Sequence, residues 1–239
     1  MKNVNYRNIS TDHFTMTAER VRLNVVRKSI TGRAEHCNNS NEKKIFDIII
    51  SIIIFILIFS WLFPLIALLI KLTSKGPVFY MQERVGLNGE MLRIYKFRTM
   101  KLNAPMLDAE GKFIQSVKND IRVTRIGSLL RKTSIDELPQ FINVLEGKMS
   151  IIGPRPHVAH LNDHFEEPIE NYEQRILVKP GITGLAQVKG LRGVTHGVND
   201  MRNRVNMDIY YIQNWSFWLD IKIFFVTIYE FLTGDENAY

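Results

Sequence analysis

Asp136 and Glu137 are adjacent carboxylates that follow a basic stretch holding Arg122, Arg125, Arg131 and Lys132. A carboxylate can act as a nucleophile toward phosphorus. A second carboxylate beside it can help hold a hard divalent cation that bridges phosphate oxygens. The plain structural alternative is an acidic first helical turn, with Ser134 and Glu137 forming a capping box. Further on, Gly153-Pro154-Arg155-Pro156 sets an arginine between two prolines. The prolines fix the backbone, and a guanidinium is the preferred fork for phosphate oxygens. A rigid turn with a solvated arginine is the competing reading. Lys96 and Arg98 stand two apart on an extended segment, so both side chains share a face. This many cations around two carboxylates suits a diphosphate substrate, although a solvated basic face would account for some of them. His157-x-x-His160-x-x-x-His164 has zinc-compatible spacing on a helix. No second histidine or cysteine cluster supports that reading, and Asp163 would have to complete the ligand set.

These groups need a scaffold. The chain has 239 residues, a formal charge of +7 and one cysteine, Cys37. It is long enough for one sizeable domain with appendages. A single cysteine excludes an intramolecular disulfide and a cysteine-built metal cluster. The positive balance points to an anionic partner: nucleic acid, an anionic membrane surface or a phosphorylated substrate. Extended segments are expected at Pro77–Gln82 and Leu92–Met100, around a turn at Gly86, Asn88 and Gly89. A helix with Leu138, Phe141, Ile142 and Leu145 on one face should stop at Gly147. Two further helices are expected over Asn199–Asn214 and Phe217–Leu232. The second is rich in large apolar residues and suits either a membrane interface or core packing. Residues 1–42 read as a polar, flexible arm, with a short amphipathic helix available at Ala18–Ser29.

The run Ile48–Ile70 carries no charge and is about 35 Å long as a helix, enough to meet a bilayer. Lys43 and Lys44 precede it, and Lys71 and Lys75 follow it. Lysines on both flanks give the orientation rule no direction. Pro64 removes a donor to the carbonyl of Ser60 and allows a bend, which a nearby hydroxyl such as that of Ser60 can help to satisfy. Two topologies are open on these grounds: a span with a kink, and a hairpin that leaves on the face it entered.

Several motifs, taken in order, resemble the bacterial sugar transferase family, the monotopic phosphoglycosyl transferases. They are Lys44-Ile45-Phe46-Asp47, Gly76-Pro77-Val78-Phe79, Gln82-Glu83-Arg84-Val85-Gly86 and Tyr95-Lys96-Phe97-Arg98-Thr99-Met100. Arg131 to Gln140, Asn143 to Ser150, Gly153 to Pro156, Lys179 to Val188 and Asp208-Ile209-Tyr210-Tyr211 continue the series. The resemblance covers roughly residues 43–239 and implies a mainly helical α+β fold. It divides the chain into the arm 1–42, a re-entrant helix-break-helix over 43–75 with its break at Ser60 and Pro64, and a compact catalytic domain over 76–239 with short strands and interfacial amphipathic helices. By the same resemblance Asp136 is the nucleophile, and Glu137 helps hold Mg²⁺, or Mn²⁺. Arg155, Lys96, Arg98, Arg131 and Gln187 contact substrate or phosphate.

The implied reaction moves a sugar 1-phosphate from a UDP-sugar to polyprenyl phosphate, with UMP as the leaving group. It would prime a surface glycan for downstream glycosyltransferases. The implied location is the bacterial inner membrane, with the catalytic domain on the cytoplasmic face. Nucleic acid is not an expected partner, and a homo-oligomer is an open option. Gly184-Leu185-Ala186-Gln187 departs from the family's Gly-Trp-Ala-Gln version by losing an indole. Larger relatives carry extra membrane helices ahead of this core, so the chain reads as a short form or one with a replaced N-terminus. The ending Gly234 to Tyr239 resembles that of glucose-type relatives. A membrane-tethered nucleic-acid binder and a non-catalytic scaffold are the alternatives. An acidic pair at the start of a would-be recognition helix argues against the former.

Overall fold

The computed structural model describes residues 29–105, 114, 120–158, 165, 168–193, 195 and 197–233. The segment Ala18–Ser29 lies almost wholly outside these residues, as does most of the arm. The described end of the arm is not loose. Residues 29–39 form helix α1, whose Ile30, Ala34 and Cys37 enter the main core. The spacing of those three is a narrow helical stripe, and the charges around it make the segment look polar.

A 33-residue apolar helix follows, over Asn41–Thr73. It consists of α2 (Asn41–Ile54), one π-helical turn (Phe55–Phe59) and α3 (Ser60–Thr73), which contains Pro64. Ser40 caps its start by accepting from the Lys43 amide. Around the π turn, the Ser60 hydroxyl donates to the Ile56 carbonyl and the Trp61 indole to the Leu57 carbonyl. Side-chain donors of this kind help satisfy backbone acceptors where a helix breaks register.

Both ends of this helix are fastened to one globular body. At its start, Lys43 is buried and its ammonium donates to Asp220 at 2.7 Å and to the Ile152 carbonyl at 2.8 Å. Tyr211 and Trp215 donate to the same Asp220 carboxylate. One turn later, Asp47 accepts from the Ile151 amide. Lys43 is therefore no interfacial lysine, and its weight in the orientation rule disappears. At the far end, Ile66 and Ile70 pack with Phe97 and Leu130. A row of rings runs from Phe59 through Phe63 to Phe79 and Phe97. Between these anchors Ile56, Leu57 and Trp61 are about 60% exposed. A straight 33-residue helix would be about 50 Å long. A body of about 160 residues has a radius of gyration of about 15 Å.

The body is built from small pieces. Strands β1 (Phe79–Val85) and β2 (Met91–Phe97) form an antiparallel hairpin around Asn88 and Gly89, both at positive φ. Helix α4 (Arg125–Lys132) is capped by Thr124, and the dyad follows in a 3₁₀ turn (Ile135–Glu137) ahead of α5 (Gln140–Leu145). Strands β3 (Ser150–Ile152) and β4 (Gly181–Thr183) pair in parallel. Then come α6 (Leu185–Val188), α7 (Val198–Gln213) and α8 (Phe217–Thr233). The last two match the expected helices closely. In α8, Asp220 and Ile223 are buried while Trp218, Phe225, Tyr229 and Leu232 are exposed. The core-packing reading therefore holds for one face, and the other face is apolar and exposed.

Asn143 ties the hairpin to the dyad. It is fully buried, accepts from the Tyr95 amide at 3.0 Å and donates to the Arg93 carbonyl at 2.8 Å. Its amide thus mimics one more strand on the edge of β2 and sets where Lys96 points. Replacing it with leucine leaves both backbone groups unpaired. The expected loss is about 2–4 kcal/mol, measured as a shift in the denaturation midpoint.

Candidate active site

Ser134 holds a left-handed conformation, with φ of 53°. It ends α4 sharply and opens the 3₁₀ turn that carries Asp136 and Glu137. The expected capping box does not form: the Ser134 side chain makes no cap bond, and the Glu137 side chain is engaged elsewhere. Non-glycine residues in this backbone region cost energy and concentrate at functional sites.

The two carboxylates differ. Glu137 is clamped: Lys96 donates to Oε1 at 2.7 Å, and Arg155 forks onto both oxygens at 2.6 and 3.0 Å. Burial would raise its pKa, but Arg155 and Lys96 hold it well below the usual carboxylate range. Asp136 is buried, and among the described residues no hydrogen bond is made to its carboxylate. Burial pushes its pKa from 3.8 to about 6; Glu137's charge adds to the rise, and Lys96, Arg131 and Arg155 oppose it. One carboxylate is thus fixed as an anion that orients two cations. The other is unpaired and titrates near neutrality, a division seen where two acids have separate tasks.

Both open onto a cavity of about 500 Å³. Its described lining carries Arg84, Lys96, Arg98, Lys101, Arg131, Arg155, Arg192 and Arg204, so eight cations face two carboxylates. That excess suits an anion of several charges. Arg131, Lys96, Arg155, Arg98 and Gln187, all named from the sequence, line this one space. Arg131 also donates to the Thr99 hydroxyl. Arg98 is a partial exception to the expected phosphate contact. Its Nε and two terminal nitrogens donate to the carbonyls of Pro77, Lys75 and Ser74. It therefore fastens the end of the apolar helix to the cavity floor.

Arg155 is presented by a tight crossing of chains. Gly153 lies against the backbone of Lys179 and Gly181, where a Cβ would collide. Arg175 donates to the Arg155 carbonyl at 2.7 Å and is held by Asp208 in a buried ion pair at 2.8 Å. Arg175 escaped the sequence reading. Its sequence signal is weak, since Glu173 and Gln174 precede it and only Ile176-Leu177-Val178 after it are apolar, so its distant partner Asp208 is not announced locally. Arg155→Lys keeps the charge but loses the fork onto Glu137. The expected result is a fall of about 10- to 100-fold in kcat/KM, read in the assay described below.

His157 is buried, with Nδ1 at 2.7 Å from the Tyr172 hydroxyl. Burial and the arginines around it hold its pKa well below the usual imidazole range. His160 and His164 lie outside the described residues, as does Asp163. Among the described residues no group of three or more histidines, cysteines and acids is placed to hold a metal.

A family model described as bacterial sugar transferase matches residues 38–234. The UDP-glucose:undecaprenyl-phosphate glucose-1-phosphate transferase of Klebsiella pneumoniae is 48% identical over 188 residues, which is 79% of this chain and 39% of that protein. A UDP-N-acetylgalactosamine-undecaprenyl-phosphate N-acetylgalactosaminephosphotransferase of Aeromonas hydrophila is 49% identical over 168 residues, 70% of this chain and 38% of the relative. An exopolysaccharide production protein PSS of Rhizobium leguminosarum bv. phaseoli is 45% identical over 175 residues, 72% of this chain and 86% of its own length. The chain thus spans between a third and two fifths of the first two relatives.

Proposed function

The chain belongs to the bacterial sugar transferase family, and from that premise we propose that it transfers a sugar 1-phosphate from a UDP-sugar to undecaprenyl phosphate at a membrane surface. The observation that carries this reading is the pairing of an unbonded, buried Asp136 with a clamped Glu137 in a cavity lined by cations. Asp136 attacks the phosphorus that bears the sugar. The bond from that phosphorus to the bridging oxygen breaks, and UMP leaves with the electron pair. An oxygen of the lipid phosphate then attacks the same phosphorus, the aspartyl–phosphate bond breaks, and a polyprenyl diphosphosugar forms. Lys96, Arg131 and Arg155 neutralise phosphate charge in both halves.

The donor set fits Mg²⁺, or Mn²⁺. Such ions take one or two carboxylates and fill their remaining positions with water and substrate phosphate. Asp136 is open to the cavity, and Glu137 Oε2, which accepts from Arg155 alone among the described residues, keeps a lone pair, whereas Oε1 is filled by Lys96 and Arg155. The ion would supply further neutralisation of the diphosphate.

The apolar helix enters and leaves the cytoplasmic leaflet of the inner membrane on one face. Support comes from its two anchors on a single body, from the π turn with Pro64 between them, and from the exposed tip at Ile56, Leu57 and Trp61. The exposed ring face of α8 lies along the same interface. The lipid product would feed downstream glycosyltransferases of exopolysaccharide or capsule assembly.

The test uses detergent-solubilised protein with undecaprenyl phosphate, Mg²⁺ and a panel of UDP-sugars. UMP release that requires the lipid for turnover is the expected result, and the best donor names the sugar. Folded protein that releases no UMP from any donor overturns the reading.

A further inference from the structure

Cations explain how the cavity would hold a diphosphate, but two neutral side chains in its wall have no such task. Gln187 is 7% exposed and His157 is 3% exposed, and both line the cavity. The Gln187 Nε2 donates to the Ile182 carbonyl at 3.2 Å, which fixes the amide and leaves Oε1 as an acceptor. Among the described residues that Oε1 has no hydrogen-bond partner, and neither does the His157 Nε2. Neither atom is exposed to solvent, the cavity's included, and the cavity borders both residues, so a ligand reaches these atoms through a small shift of the cavity wall. Tyr172 occupies the other imidazole nitrogen, and the ring is held neutral by burial and by Arg175, Arg204, Arg84 and Arg155. A buried polar atom without a partner costs free energy that a bound ligand can recover.

We propose that Gln187 Oε1 and His157 Nε2 read an uncharged polar group of the nucleotide-sugar, a hydroxyl or an imide N–H, and so set which donor is accepted. The inference rests on the transferase reading above. Gln187 can only accept, so its ligand must donate. A sugar hydroxyl and the uracil imide share that property, and the experiment separates them. Neutral contacts suit selection here, because every UDP-sugar presents the same diphosphate to the cations.

The experiment measures kcat/KM for UMP release by wild type, Gln187→Met and His157→Gln. The donors are the preferred UDP-sugar, its monodeoxy analogues and its counterpart carrying a different base. Thermal melting checks that each variant is folded. Wild type should lose about tenfold on the one analogue that lacks the contacted group. Gln187→Met should lose about tenfold on the parent donor and nothing further on that analogue. A deoxysugar behaving this way assigns the subsite to the hexose, and a base change behaving this way assigns it to the nucleoside. His157→Gln gives the second, independent reading of the same pattern. Equal losses on every donor, or no loss in either folded variant, overturn the proposal while leaving the transferase reading intact. Failure of wild type to release UMP from any donor overturns the transferase reading itself.

Discussion

Asp136→Asn should abolish turnover and at the same time make the protein more stable at neutral pH. Amide nitrogen and oxygen are poor nucleophiles toward phosphorus, so the rate of UMP release should fall by at least about a thousandfold. The fold should persist, because no described hydrogen bond to the Asp136 carboxylate is lost. The stability gain follows from linkage. Burial raises the folded-state pKa of Asp136 from 3.8 to about 6, so the folded protein binds this proton more tightly than the unfolded chain does. The native carboxyl therefore costs nothing below about pH 4. Its penalty grows between about pH 4 and 6 and is complete above that range. A shift of this size corresponds to about 3 kcal/mol, which asparagine removes. Melting curves of the two proteins should therefore diverge as pH rises and converge near pH 4. The same titration predicts that wild-type activity climbs as pH passes through about 6, since only the carboxylate attacks. Equal melting temperatures at pH 7.5, or full UMP release by the asparagine variant, would remove Asp136 from its role.

The second large effect is structural and far from the cavity. Asp220→Asn should cost about 3–5 kcal/mol, because Lys43 would keep its buried charge and lose the carboxylate hydrogen-bonded to it, with Asp47 left as its more distant partner. Both side chains are nearly inaccessible, so water cannot substitute. The Tyr211 and Trp215 donors that converge on Asp220 lose a charged acceptor as well. Loss of α2 docking should appear as new protease cleavage between α1 and the apolar helix, together with a lowered melting temperature. The double variant Lys43→Met with Asp220→Leu should recover part of the loss, since it removes the buried ammonium together with its carboxylate, while Asp47, Tyr211 and Trp215 each lose a partner. A single variant as stable as wild type would mean that α2 is held by packing alone.

What could be read from the sequence was what depends on near neighbours. The hairpin announced itself through Gly86, Asn88 and Gly89, and α7 and α8 through their periodicity. The cations that gather around Asp136 and Glu137 were recognisable by type, and four of them, Lys96, Arg98, Arg131 and Arg155, were already named with the dyad. Misreadings arose where a distant partner decides the outcome. Ser134 and Glu137 have capping-box spacing, but Lys96 and Arg155 claim the glutamate, and Ser134 turns left-handed. Lys43 looked like an interfacial charge because Asp220 lies 177 positions away. Arg98 looked like a phosphate ligand because nothing in its neighbourhood shows that three carbonyls at the end of a helix need donors. In α1 the stripe of Ile30, Ala34 and Cys37 was present but diluted by Arg33, Glu35 and His36.

The separation between Lys43 and Asp220 also sets an order of events during synthesis. At about 5–20 residues per second, Asp220 leaves the ribosome about 10–35 s after Lys43. The contacts of Asn38 with Leu177 and of Asp47 with Ile151 close similarly late, across 139 and 104 positions. The apolar helix is therefore made long before its docking partners exist. Nascent chains halted before α8 would carry the apolar helix without its ion pair, and on the membrane reading proposed above the body would close onto an element already in lipid.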